Sequence, residues 1–331
     1  MPKPLVTVIC ITYNHVQFIR SCLESLVSQQ CDFSYEIIVH DDASIDGTQD
    51  IIKEFYHNYP DLIIPILQKE NQWSKKPGLL DVFVEKSLFS GTYIALCEGD
   101  DFWVEPDKLQ KQVEILENHP ECNMTCSSYL LIDNNEKRDI IQKKWETENY
   151  EDKSGRVFEL ADLNHSFFIK TSTAMFRNFS ELYIQLDKFE FCLDIHIFYL
   201  LLKSGKGYYS KDVMAGYNRH PGGTYSGSTQ HEILLTQYFI LKDIYEKDGD
   251  DFVRKKYLEL AFLMINLKVS GLMPGRKIKQ KAIRYRNPGI VKLVKTIKPV
   301  LETKTERETF YKSFVPMQAK AIRQKMKQLF Q

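Results

Sequence analysis

The sequence predicts an α/β fold: a Rossmann-like, mostly parallel sheet with flanking helices, followed by a helical C-terminal extension. Three observations predict it. Short β-rich runs alternate with helical periodicity through the first third of the chain, the pattern of a parallel sheet covered by helices. Three of these regions end in polar clusters, Thr12 to Asn14, Asp41 to Ser44 and Glu98 to Asp101. From Gln230 onward the remaining chain reads as helical.

Residues 5–11 form the first strand, after which Phe18, Ile19, Cys22, Leu23, Leu26 and Val27 recur at helical spacing. Residues 35–40 are the second strand. The Asp/Ser-rich tip that follows, with Asp46 and Gly47 as a turn signal, can cap a helix containing Ile51, Ile52 and Phe55. Residues 62–67 read as a third strand and residues 78–89 as a third helix. Residues 92–97 are the fourth strand, mostly apolar until it breaks into Glu98, Gly99, Asp100 and Asp101. Adjacent anions repel and are costly to desolvate, so a strand tip carrying them points to an arriving cation or a ligand with donors. Phe102 and Trp103 add apolar walls, and Pro106 with Asp107 opens a helix over residues 108–118. A further strand is expected over 123–132, a charged surface excursion over 133–154, and strand-like material over 167–176 containing the turn-prone Thr171, Ser172 and Thr173. Asp194 interrupts an apolar helix start, and glycines 205 and 207 close that helix. Residues 208–217 return as strand and turn, leading into Asn218, Arg219 and His220. In such sheets ligands bind beyond the carboxyl ends of the strands, which brings the three polar clusters together.

Charge is balanced at 44 basic against 44 acidic residues, but unevenly placed. Residues 276–331 hold 16 Lys/Arg against 3 Asp/Glu, a net of +13, which leaves 28 against 41, a net of −13, on residues 1–275. Ile290, Val291, Leu293, Val294 and Ile297 alternate there with Lys292, Lys295 and Lys298. That pattern suits an amphipathic helix, either lying in an anionic membrane interface or packed on the protein with a solvated basic face. No nucleic-acid recognition motif accompanies the charge, so nucleic acid is not expected as a partner. The seven cysteines form no CxxC pair and argue for reduced core thiols. With no signal-peptide layout and no long apolar span, a cytoplasmic protein is expected, with possible peripheral contact at the inner face of the membrane.

VTVICITYN, then EIIVHDDASIDGT, then YIALCEGDDFW resemble, in order and spacing, the motifs of family 2 glycosyltransferases of the GT-A fold. The resemblance covers residues 4–225. It implies a nucleotide-sugar-binding and catalytic domain over 1–225 and a helical extension with a basic tail over 226–331. EGDDFW followed by KLQKQVEILENHPE is similar to a subset associated with bacterial surface polysaccharides.

The resemblance implies that Thr12, Tyr13 and Asn14 lie against the base, that Asp42 accepts a hydrogen bond from it, and that Asp100 faces the ribose. Asp101 and His220 would hold a divalent cation, Mn²⁺ or Mg²⁺, Arg219 would meet phosphate, and Asp194 would be the catalytic base of an inverting transfer. Lys75 and Lys76 lie where a loop closes over the diphosphate. Glu98 stands where the family's Asp-x-Asp form has its first Asp, which leaves open which carboxylate touches metal. The implied substrates are a nucleotide sugar, by this reading a UDP-sugar, and a saccharide or lipid-linked oligosaccharide acceptor. A catalytically inactive sugar-nucleotide-binding or scaffold protein of the same fold is the alternative.

Each residue also has a plainer reading. Asp41, Asp42 and Asp194 can cap helices, His220 can be an ordinary loop histidine, and the two lysines can be solvated charges. A phosphatase reading of Ile45-Asp46-Gly47-Thr48 fails, because Ser44 stands where the nucleophilic Asp is needed.

Overall fold

The structure is a computed structural model that describes residues 3–73, 89–133, 136–140, 154–163, 169–189, 192–223, 226–269, 293 and 296–301. It divides into two compact units, residues 1–220 and 221–331. In the first, strands β1 (Val6–Thr12), β2 (Tyr35–Asp41), β3 (Ile63–Leu67) and β4 (Tyr93–Glu98) pair in parallel in the order β3-β2-β1-β4. Helices α1 (Ile19–Val27) and α2 (Thr48–Asn58) connect them, and α3 (Lys108–Asn118) follows. Residues alternate between faces along each strand. Val6, Val8 and Cys10, Ile37 and Val39, and Tyr93, Ala95 and Cys97 therefore share one face, which packs on Leu23 and Leu26, Ile52 and Phe55, and Leu109, Val113 and Leu116 of the three helices.

Beyond β4 the sheet turns mixed. Strands β5 (Phe102–Trp103), β6 (Cys122–Asp133), β7 (Glu136–Ile140), β8 (Gly155–Phe158), β9 (Met175–Arg177) and β10 (Lys206–Arg219) complete it. Its order continues β4-β9-β6-β10-β5, with β9 antiparallel to both neighbours and β6 parallel to β10. Helices α4 (Ser180–Leu186) and α5 (Asp194–Ser204) lie between β9 and β10 in the chain, and every residue of α5 from Ile195 to Leu202 is buried.

Two expectations are sharpened here. In the strand-like segment, described from residue 169 on, the turn-prone residues 171–173 form a 3₁₀ turn and residues 175–177 pair in the sheet. Thr171, Ser172 and Thr173 are all buried, and their hydroxyls compete locally for backbone partners; Thr173 Oγ1 donates to Lys170 O at 2.7 Å. The excursion after residue 133 begins as a hairpin, because β7 pairs antiparallel with β6. The helix expected over 78–89 falls, up to residue 88, outside the described residues, as do Lys75, Lys76 and nearly all of the basic tail.

In the second unit α6 (Gln230–Asp248) opens on a capping box, in which Thr229 and Glu232 satisfy each other's backbone N–H, and closes on Gly249 in a left-handed conformation. Helix α7 (Asp251–Val269) packs against it through the buried Tyr238 and Tyr257, whose ring centroids are 5.3 Å apart. Among the described residues no helix is long and apolar enough to cross a membrane.

Candidate functional site

The register of the parallel strands sets the site. Thr12 is opposite Asp41 and Ile11 is opposite Glu98, so the carboxyl ends of β2, β1 and β4 reach one edge of the sheet side by side. The loops after β1 and β2 are bonded to each other. Asn14 N donates to Ser44 Oγ at 2.7 Å, Ile45 N to Asn14 Oδ1 at 2.9 Å, His15 N to Thr48 Oγ1 at 2.9 Å and Val16 N to Asp46 Oδ2 at 3.0 Å. In these loops Asn14 and Ala43 have φ of 55° and 63°, a left-handed conformation that costs an alanine about 1–2 kcal/mol. Asn14 thus acts through its loop, while Tyr13 beside it is exposed.

The two acids at the end of β2 are buried and already committed. Asp41 accepts from Ser44 N at 2.9 Å and Gln49 Nε2 at 2.6 Å. Asp42 Oδ1 accepts from Gln72 N at 2.6 Å and Oδ2 from Trp73 N at 3.1 Å, which pins the segment after β3. Each Asp42 oxygen keeps a second lone pair for a ligand.

At the tip of β4, Gly99 N donates to Ile11 O at 2.8 Å and Asp101 N to Glu98 O at 2.9 Å, a tight turn against β1. A Cβ on Gly99 would fall 2.5 Å from Thr12 Oγ1 and 2.6 Å from Thr12 Cβ. Since Thr12 is strand and cannot yield, we expect Gly99→Ala to lower stability by about 1–3 kcal/mol, read as a shifted urea midpoint.

The tip residues point to different partners. Asp100 Oδ2 meets His220 Nε2 at 2.9 Å and His15 Nε2 at 3.7 Å, with Phe18 packed on the His220 ring at 4.6 Å between centroids. His15, Asp100 and His220 offer ligand atoms that all lie within 4.8 Å of one another. Burial opposes ionisation of Asp100, but the His220 hydrogen bond and the His15 charge outweigh it and hold the carboxyl below its ordinary range. Burial lowers the pKa of His15 more than Asp100 raises it, and His220 lowers it further.

Asp101 is the buried member. Its Oδ1 accepts from Asn218 N at 3.1 Å, whereas Oδ2 is buried with no hydrogen-bond partner among the described residues. Burial and the adjacent Asp100 push its pKa up to about 8, against the easing effects of Ser172, the Asn218 backbone N–H and Lys170. Ser172 Oγ is likewise buried, and its hydroxyl eases the ionisation of Asp101. Glu98 is raised well above its usual value by burial and by Asp100, Asp101 and Asp194; its carboxylate is packed in protein although the residue is part-exposed.

Asp194 is the first residue of α5. Oδ1 accepts from Ile195 N at 2.8 Å and Oδ2 from Thr171 Oγ1 at 3.2 Å. Burial raises its pKa in spite of both bonds and of the Lys170 and His196 charges. The Lys170 charge eases the ionisation of Glu98, Asp101 and Asp194 alike, as a lesser effect beside their burial. That ammonium stands 4.2 Å from the Tyr217 ring centroid.

The structure therefore brings Thr12, Asp100, Asp101, Asp194 and His220 together, but with two changes of partner. His220 faces Asp100 rather than Asp101, because Asn218 of β10 clasps both acids, its Nδ2 donating to Asp100 O at 2.6 Å, and delivers the next turn onto the outer one. Arg219 is not aimed at the cluster. Successive strand residues point to opposite sides, and Arg219 pairs with its register partner Asp133 at 3.5 Å, half-exposed. Sequence reasoning missed His15, Lys170, Thr171, Ser172 and Asn218 as site residues. His15 directly follows the TYN motif, and that adjacency was the one available signal; the other four act only across strands.

The sequence matches the family described as Glycosyl transferase family 2 over residues 7–182. It is 43% identical over 115 residues to an uncharacterised protein of Mycobacterium tuberculosis, covering 35% of this chain and 32% of that protein. It is 33% identical over 132 residues to a Bacillus subtilis protein named as a putative teichuronic acid biosynthesis glycosyltransferase, TuaG, covering 39% of this chain and 48% of that one. The chain thus spans about a third to a half of the length of these curated relatives. Among solved structures it is similar to S. aureus TarS in complex with UDP-GlcNAc, with TM-score 0.55, 16% identity and coverage of 93% and 79% of the two chains. It is also similar to the mannosyltransferase PcManGT from Pyrobaculum calidifontis in complex with GDP-Man and Mn²⁺, with TM-score 0.51, 14% identity and coverage of 97% and 83%. These structural likenesses establish a GT-A-like fold.

Proposed function

The chain belongs to glycosyl transferase family 2, and from that premise we propose that it moves a sugar from a nucleotide diphosphate donor, a UDP-sugar, to an acceptor hydroxyl with inversion at the anomeric carbon. The observation that carries this reading is the cluster at the strand ends: the buried Asp101 beside Asp100, and a second buried carboxylate, Asp194, bonded to Thr171 of the turn whose Ser172 bears on Asp101. Such a spacing of roles suits a displacement in which one side receives a leaving diphosphate and the other removes a proton.

In this reading Thr12, Tyr13 and Asp42 bind the base, and Asn14 holds the loop that carries Tyr13. The residues present fit a divalent cation. Asp101 Oδ2 lacks a partner among the described residues, and Asp100, His15 and His220 supply a carboxylate and two imidazoles, a donor set that suits Mn²⁺ better than Mg²⁺. Bound there, the cation would supply positive charge to the departing diphosphate. The Asp194 carboxylate accepts the acceptor's proton, and Thr171 Oγ1 and Ile195 N–H aim it. Lys170 favours its charged form, without which no proton is taken.

The acceptor is a saccharide or lipid-linked oligosaccharide of bacterial surface glycan synthesis, a reading supported by the EGDDFW…KLQKQ run and by the likeness to TuaG. The net charge of +13 over residues 276–331 supports peripheral contact with an anionic membrane, where a lipid-linked acceptor resides. A thermal-shift screen of nucleoside diphosphates and their sugars tests the donor assignment. UDP or a UDP-sugar at about 100 times its Kd, with Mn²⁺ present, stabilises the fold by about 2.7 kcal/mol. A shift with nucleoside triphosphates alone, or no shift with any nucleotide, overturns the assignment.

A further inference from the structure

Lys108 is a fully buried lysine with no carboxylate paired to it among the described residues, and burial pushes its pKa down to about 7. Lysine is almost never fully buried without a partner, and a well-packed apolar side chain would serve the core better. Its surroundings show what it does. The ammonium lies 4.1 Å from the Trp103 ring centroid and donates to Gln112 Oε1 at 2.5 Å.

The other bond of Gln112 decides which way its amide faces. The Thr173 carbonyl can only accept, so it takes the Gln112 NH₂ group, and the amide oxygen is left to the Lys108 amine with its lowered pKa. Gln112 Nε2 then donates to Thr173 O at 2.8 Å. Trp103 Nε1, on the ring against which the ammonium rests, donates to Ser172 O at 3.0 Å. Two consecutive carbonyls of the 3₁₀ turn are thus each held by a donor whose side chain touches the Lys108 amine. From the same turn Thr171 reaches Asp194 and Ser172 lies beside Asp101.

We infer that Lys108, Gln112 and Trp103 are positioning residues, which dock the 171–173 turn on α3 and β5 and thereby set Thr171 against the Asp194 carboxylate. The inference rests on the reading of Asp194 as the proton acceptor. It also gives a physical role to the Trp, Lys and Gln of the run FWVEPDKLQKQ, whose chemistry the nucleotide site does not use. A misplacement of about 1 Å at a reacting group can cost on the order of 10²-fold in rate.

Two variants test it. Lys108→Met removes the amine but keeps the volume, and Gln112→Glu keeps a partner for Lys108 while removing the donor to Thr173 O. Each is compared with wild-type protein for nucleoside diphosphate release from a panel of UDP- and GDP-sugars with Mn²⁺, for melting temperature, and for amide exchange of a peptide spanning 169–176. The expected result is a kcat lower by about tenfold to 10²-fold, with the KM for the sugar nucleotide changed less than about twofold. Exchange should be faster in that peptide alone, and Lys108→Met should melt no lower than wild type. Unchanged kcat and exchange in either variant overturn the inference, as does a kcat loss that merely follows a lower melting temperature with a raised KM. A wild-type protein that consumes no sugar nucleotide overturns the functional reading instead, and the exchange result still decides whether the turn is docked as described.

Discussion

Asp194→Asn is expected to lower the turnover of the proposed sugar transfer by about 10²- to 10⁴-fold, the range for loss of a positioned general base, and to leave nucleotide binding intact. The amide keeps the shape and can still accept a hydrogen bond through its one carbonyl oxygen, from Ile195 N–H or Thr171 Oγ1, but it cannot take a proton. Stability separates this from misfolding. Burial raises the Asp194 pKa above its ordinary value of 3.8, so the folded state prefers the neutral acid. Its contribution to stability is complete below the unfolded pKa and is lost as pH rises through the folded one. The substituted amide is neutral throughout, so the variant gains on wild type as pH rises through that window and melts no lower at neutral pH. The same shift predicts that the acid limb of the wild-type pH–rate profile lies above the usual carboxylate range. An Asp194→Asn protein that retains wild-type turnover, or that loses nucleotide-induced stabilisation, removes Asp194 from the role of base.

Asp100→Asn is expected to have the second large effect, about 10²-fold or more in turnover, because it removes the carboxylate shared by His15 and His220. Loss of groups that merely support a metal ligand already costs about 10- to 100-fold in affinity or activity. The added melting temperature that Mn²⁺ confers on the UDP-bound protein should disappear, while stabilisation by UDP alone persists through Thr12, Tyr13 and Asp42. The ionised Asp100 carboxylate also contributes stability above its unfolded pKa, lost as pH falls through the lowered folded value. The variant therefore lacks part of the wild type's acid-dependent loss of stability. If Mn²⁺ stabilises Asp100→Asn as fully as wild type, the cation is held elsewhere, with Asp101 the remaining candidate.

Much of this site is legible in the one-dimensional pattern. Parallel strands are continuous apolar runs whose ends are marked by abrupt polarity, and β1, β2 and β4 show that signal at Thr12, Asp41 and Glu98 within a residue or two. Polar residues at the carboxyl ends of adjacent parallel strands must meet, because the sheet aligns the ends. The pairings inside the cluster are another matter. Whether His220 meets Asp100 or Asp101 depends on where Asn218 of β10 clamps the tip of β4, across 117 residues of chain. Thr171, Ser172 and Thr173 read only as turn-prone, since a short 3₁₀ turn has no periodicity to detect.

The amino-acid sequence by itself determined the α/β class, the order of the first four strands along the chain and the placement of acids at their tips, because strand polarity and helical spacing are local properties. Tertiary structure alone decided the partners. It placed a second imidazole, His15, on Asp100, turned Arg219 away to Asp133, and put a buried lysine against the side chains that hold the turn reaching Asp194. The physical reason is that hydrogen bonds and desolvation act at about 3–4 Å between side chains brought together from distant segments, and residue spacing along the chain carries no record of those distances.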